Sequence, residues 1–136
     1  MADISRARLT SRIEQGVLIF TLAEPHLRTD KVVDAIREEI VKILTATGLK
    51  DVVIDLKAVE SLSSTGLRPM LAAHRQVEPH GGRLVLCGVA PEVAKVITLT
   101  RLVGLSRSPF HLEADTAAAV AYLTSQPGKG APAAGT

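Results

Sequence analysis

The hydrophobic pattern of this chain predicts a small α/β domain with a partly parallel sheet. Two alternating runs joined at Gln15-Gly16 open the chain, and helical spacing then alternates with short, nearly continuous apolar runs. The length of 136 residues fits one domain.

Leu9, Ser11 and Ile13 alternate along one run and Val17, Ile19 and Thr21 along the next, so residues 8 to 22 read as a hairpin. "AEPHLRTDK" follows as a loop, with Thr29 or Asp30 a candidate N-cap. Apolar residues then recur at Val33, Ile36, Ile40, Ile43 and Leu44, the spacing of an amphipathic helix that ends near Thr47-Gly48. "VVIDL", residues 52 to 56, is β-branched and apolar enough for a central strand buried on both faces.

Leu67, Met70, Leu71, His74 and Val77 mark a second helix, which Gly81-Gly82 closes. "RLVLCGV" is a second buried strand, and Pro91 suits the first turn of a third helix carrying Val93, Val96, Ile97 and Thr100 on one face. "SPFHL" fits a short edge strand with Pro109 at its margin. Asp115 is placed to cap a last helix through Ala117, Val120, Ala121 and Leu123. The domain therefore spans residues 1–124. Residues 125–136, "SQPGKGAPAAGT", bury too little apolar surface to offset ordering and are expected to form a flexible tail.

Composition narrows the function. With 46% hydrophobic residues and 22% charged, the chain has the profile of a soluble globular protein. Its aromatic residues are Tyr122, Phe20 and Phe110, so base stacking on single-stranded nucleic acid is poorly served. The net charge of +2 is spread over scattered Lys and Arg, with no stripe fit to neutralise a phosphate backbone. Nucleic acid is not an expected partner. The first ten residues lack the apolar core of a signal peptide, and no apolar run approaches membrane-spanning length. A cytoplasmic protein with no direct membrane insertion is expected. Cys87, the single cysteine, excludes an intramolecular disulfide and reads as buried and inert.

The unusual stretch is "VESLSSTGLRPM", residues 59 to 70, with Ser63, Ser64 and Thr65 directly before Gly66. Helix starts leave backbone N–H groups without partners, and a Ser or Thr side chain can satisfy one. The same groups favour a negative charge such as a phosphate, so a helix cap and a phosphorylation switch rest on one physical feature. Pro69 discriminates among the hydroxyls. With Ser63 as cap it would remove a hydrogen bond one turn into the helix, whereas Thr65 as cap places it nearer the start. Thr65 is therefore the expected cap, and Ser63 and Ser64 lie in the preceding loop.

Other residues offer less. Asp55 ends an apolar strand, where it either contributes to a ligand site or satisfies donors of the adjoining loop. His26, His74, His80 and His111 have no metal-ligand spacing, and His74 falls on an apolar stripe that suits packing. "SSTG" is not a nucleophile elbow, and Gly81-Gly82 lacks the spacing of a dinucleotide loop or the lysine of a P-loop. No enzyme activity, metal or cofactor is implied.

"DVVIDLKAVESLSSTGL", followed by "HGGRLVLCGVAPEVAKVITLTRLVGL", resembles the STAS domain of anti-sigma factor antagonists. That family has an apolar strand ending in Asp, a segment close to V-x-F-I-D-S-S-G-L, a helix, a Gly-Gly turn, a strand and a Pro-x-Val helix. The resemblance spans about Arg8 to Leu123 and is most specific from Val52 to Leu105. It implies a mixed sheet of four to five strands with helices packed on one side. It also implies a module that binds an anti-sigma factor or related protein kinase and is switched by phosphorylation. Ser64 matches the phosphoacceptor, Thr65 the following hydroxyl and Gly66 the glycine, while Ser63 stands where the family has Asp. Leu67, Arg68 and Arg75 are candidates for the partner face. Pro69 and the polar "EPHLRTDK" loop are further departures. The resemblance also admits a STAS scaffold or transporter-associated subunit without phosphorylation, assembled with itself as a homo-oligomer or with a transporter. A small-ligand or nucleotide-binding domain is the remaining alternative.

Overall fold

The structure, a computed structural model, describes residues 9–99 and 111–125. The hairpin consists of β1 (Leu9–Glu14) and β2 (Val17–Leu22), antiparallel with Glu14 opposite Val17. Its turn residues both take positive φ, 53° at Gln15 and 79° at Gly16. This is the two-residue geometry whose twist matches the flanking strands. α1 (Asp30–Thr47) buries Val33, Ile36, Ile40 and Leu44, each worth about 1.5–3 kcal/mol of apolar burial. It ends where expected, with Gly48 in the left-handed conformation and its N–H donating to the Leu44 carbonyl at 3.0 Å.

β4 (Asp51–Asp55) and β6 (Arg83–Cys87) follow β2 in parallel, and β7 (His111–Glu113) adds parallel to β6 at an edge of the sheet. The five-stranded order is β1-β2-β4-β6-β7. Two further pieces, β3 (His26–Leu27) and β5 (Ser61–Leu62), form a separate parallel pair. Between β4 and β6 runs α2 (Arg68–Val77), between β6 and β7 runs α3 (Pro91–Leu99), and α4 (Thr116–Ser125) closes the described chain.

Strand parity divides the core in two. Leu18, Val52 and Leu84 lie side by side across the sheet, as do Phe20, Ile54 and Leu86, and these pack with α1, α2 and α3. The alternate residues Val17, Ile19, Val53, Val85 and Cys87 pack with Ala119, Val120 and Leu123 of α4. Crossovers from β2 to β4 to β6 to β7 all step in one direction, and right-handed connections put their helices on one face. α4 is not a crossover, and it covers the other.

The expected helices on one side thus describe α1 to α3, and α4 corrects the picture. Its buried residues are Ala119, Val120 and Leu123, whereas Ala117 and Ala121 point to solvent. Asp115 caps α4 as its position implied, with Oδ1 accepting from the Ala118 N–H at 2.8 Å. Arg83 also holds this helix: its Nη2 donates to the Leu123 carbonyl at 2.9 Å and its guanidinium sits 5.8 Å from the Tyr122 ring centre. The expectations for Thr100, for the "SPF" part of the edge strand and for the tail beyond Ser125 lie outside the described residues.

Candidate functional site

The hydroxyl segment is placed by the small β3–β5 sheet. Pro25 accepts from the N–H groups of Glu60 and Ser61 at 2.7 and 3.1 Å, and Leu27 accepts from Ser63 at 3.2 Å. His26 and Ser61 are register partners, and His26 Nδ1 lies 2.8 Å from Ser61 Oγ. Two stretches that carry no strand signature of their own, "EPHL" and "ESL", hold one another in place. Two-residue strands leave no periodicity in a sequence, so this pairing was not legible there.

Ser64–Leu67 forms a 3-10 turn, and α2 begins only at Arg68. Pro69 lies in the first turn of α2, where its missing N–H costs no internal bond. The late helix start that Pro69 implied is observed, and the cap expected of Thr65 is not. Ser63 precedes the 3-10 turn, and neither that turn nor α2 has a side-chain capping hydrogen bond.

The three hydroxyls differ in exposure. Ser64 is exposed and Thr65 half-buried. The Ser63 Oγ is buried without a hydrogen-bond partner. Gly66 is buried because the turn lies against β3: a Cβ there would collide with the Leu27 carbonyl oxygen and Leu62 Cδ1 and come within 2.9 Å of Leu27 Cβ. Its role is the close backbone approach that a side chain would block.

Leu67 is 2% exposed and belongs to the main core, which removes it from the candidate partner face. It lies on the inward side of a turn that buries one face and shows the other. Arg68 is exposed, with Nη1 3.5 Å from both Asp30 and Asp34 of α1. Arg75, also exposed, lines an open groove of about 490 Å³ between α1 and α2 together with Arg37, Val41, Arg68 and Leu71. The exposed members of the candidate set therefore occupy the Ser64 turn and the α1–α2 surface.

Asp55 is 4% exposed, and its Oδ1 accepts from the Lys57 N–H at 3.0 Å. This is the loop-satisfying role rather than an open ligand site. Gly88 faces the same carboxylate, and a Cβ there would lie 2.8 Å from Oδ1. Burial pushes the Cys87 thiol up to about 12, with the Asp55 and Asp115 carboxylates adding to the rise. A thiol held in this way is a packing group, not a nucleophile. Among the described residues no cluster of His, Cys, Asp or Glu is arranged to hold a metal ion, and no helix is long and apolar enough to cross a membrane.

The model of the STAS domain family matches this chain over residues 8–119. Solved structures share the fold. A serine-to-glutamate variant of RsbS from Moorella thermoacetica is 26% identical with a TM-score of 0.67, the match covering 87% of this chain and 96% of that one. An anti-sigma factor antagonist from Mycobacterium paratuberculosis is 24% identical with a TM-score of 0.69, covering 85% and 92%. The Bacillus cell fate determinant SpoIIAA in its phosphorylated form is 17% identical with a TM-score of 0.61, covering 85% and 99%.

Proposed function

Because this chain belongs to the STAS domain family, we propose that it is a regulatory protein-binding module of the anti-sigma antagonist kind. Its partner is an anti-sigma factor or a related serine/threonine kinase, and phosphorylation of Ser64 releases that partner. The observation that carries this reading is the exposure contrast within the hydroxyl triplet. Ser64 is the exposed hydroxyl of the three, while Thr65 is half-buried, the neighbouring Ser63 Oγ is buried and Gly66 pins the turn against β3.

A phosphate at Ser64 would add about −1.5 to −2 charges to an exposed turn at the head of α2. An interface formed over that turn would have to desolvate the new charge, and binding weakens. SpoIIAA, a relative by fold, exists in a phosphorylated form. An ATP-using partner places the module in the cytoplasm, and the chemistry is the partner's, with this chain as its substrate and ligand.

The test is affinity capture from the native cell with the full chain as bait, followed by intact-mass analysis. A kinase-type partner is expected to be retained by Ser64→Ala and weakened at least about tenfold by Ser64→Asp. Equal retention by both variants removes the switch.

A further inference from the structure

Arg68 follows Ser64 by little more than one helical turn, and both residues are exposed. The Ser64 turn also lies where α1 begins. Gly66 packs on Leu27, Ser63 donates to the Leu27 carbonyl at 3.2 Å, and α1 starts shortly afterwards at Asp30. Arg68 reaches toward this same end of α1, with Nη1 3.5 Å from the Oδ1 atoms of both Asp30 and Asp34.

Those contacts are replaceable. They are longer than the charge-assisted hydrogen bonds that hold an arginine firmly, and all three side chains stay largely open to solvent, so each pair contributes little. Asp34 has a second arginine, since Arg37 Nε lies 3.8 Å from the same Oδ1, and the exposed Asp30 can return to water. A phosphoserine carries nearly two charges and three acceptor oxygens, which a guanidinium can engage in pairs. The surrounding charges are mixed: Arg28, Lys31 and Arg37 against Asp30, Asp34 and Glu38. The guanidinium is thus held between carboxylates and phosphate, and the larger charge one turn away outcompetes two distant single ones.

We infer that phosphorylation of Ser64 transfers the Arg68 guanidinium from Asp30 and Asp34 to the phosphate. The inference rests on the reading of Ser64 as the modified residue. Release then has two parts: the partner meets a phosphate, and it loses an arginine from the rim of the α1–α2 groove.

The test uses the full chain with phosphoserine inserted at Ser64 during translation, which needs no kinase, and follows the phosphorus NMR resonance over pH. A free phosphoserine has its second pKa at about 6. In the parent this pKa is expected to lie about half a unit to one unit below its value in Arg68→Gln, because the guanidinium favours the dianion. Arg68→Lys should keep part of the shift, since it retains the charge and loses the planar fork. Arg28→Gln should leave the titration unchanged, and thermal unfolding of all three unphosphorylated variants should match the parent. Equal titration in the parent and Arg68→Gln overturns the proposal, as does a shift that Arg28→Gln removes and Arg68→Gln does not. The switch itself fails differently: a shifted phosphate on a chain that still retains its partner upholds the Arg68 contact and removes the release.

Discussion

Gly66 lies so close to β3 that a Cβ on it would collide with the carbonyl oxygen of Leu27. The obstacle is backbone, which cannot rotate away as a side chain can. Gly66→Ala should therefore push the Ser64 turn off β3. A loss of about 1–3 kcal/mol is expected in a urea titration, the range for forcing a methyl group into a packed site. Partner binding should fall further than stability alone explains, because the turn that presents Ser64 has moved.

Ser63 should be dispensable to the fold. Its Oγ is buried without a hydrogen-bond partner, a cost that alanine does not carry. Ser63→Ala is expected to leave stability unchanged or raise it by up to about 1 kcal/mol. Phosphorylation at Ser64 should persist in this variant by intact mass, whereas Ser64→Ala should abolish it.

Substitution of Arg68 is expected to separate binding from stability. Its ion pairs to Asp30 and Asp34 are 3.5 Å long and solvent-exposed, a class that contributes about 0–1 kcal/mol. Arg68→Ala should shift thermal unfolding little while reducing capture of the partner. A large stability loss with unchanged capture would assign Arg68 to the scaffold instead.

Cys87 makes stability sensitive to alkaline pH. Its thiol stays neutral in the fold up to about 12, against an ordinary value of 9.0 for the free group. Below that ordinary value both states are neutral and the thiol's contribution is fully present. As pH rises above it the unfolded thiol ionises and the folded one does not, so this stability is lost progressively towards pH 12. Cys87→Ala should flatten that limb of a stability–pH profile. At neutral pH, alkylation of native Cys87 should occur only as fast as the protein opens.

The hydrophobic period of the sequence was enough to place α1, the buried strands β4 and β6, and the β1–β2 hairpin, because each is long enough to repeat its pattern. Gly48 and Asp115 likewise act within a few residues of themselves, and their roles as helix stop and helix cap were legible for that reason. The hydroxyl triplet was legible as a candidate, and Pro69 indicated that α2 starts late.

The tertiary structure decided the rest, wherever the deciding neighbour is far away in the chain. Leu67 and Arg68 are adjacent in sequence, yet one is core and the other surface, because the 3-10 turn packs on one side only. Ser63 and Ser64 separate into a buried and an exposed hydroxyl through the contact of their loop with β3, a strand too short to show a period. α4 covers the face opposite the other helices because it follows the last strand instead of linking two. Sequence patterns record a residue's own periodicity, and burial depends on what the fold brings against it.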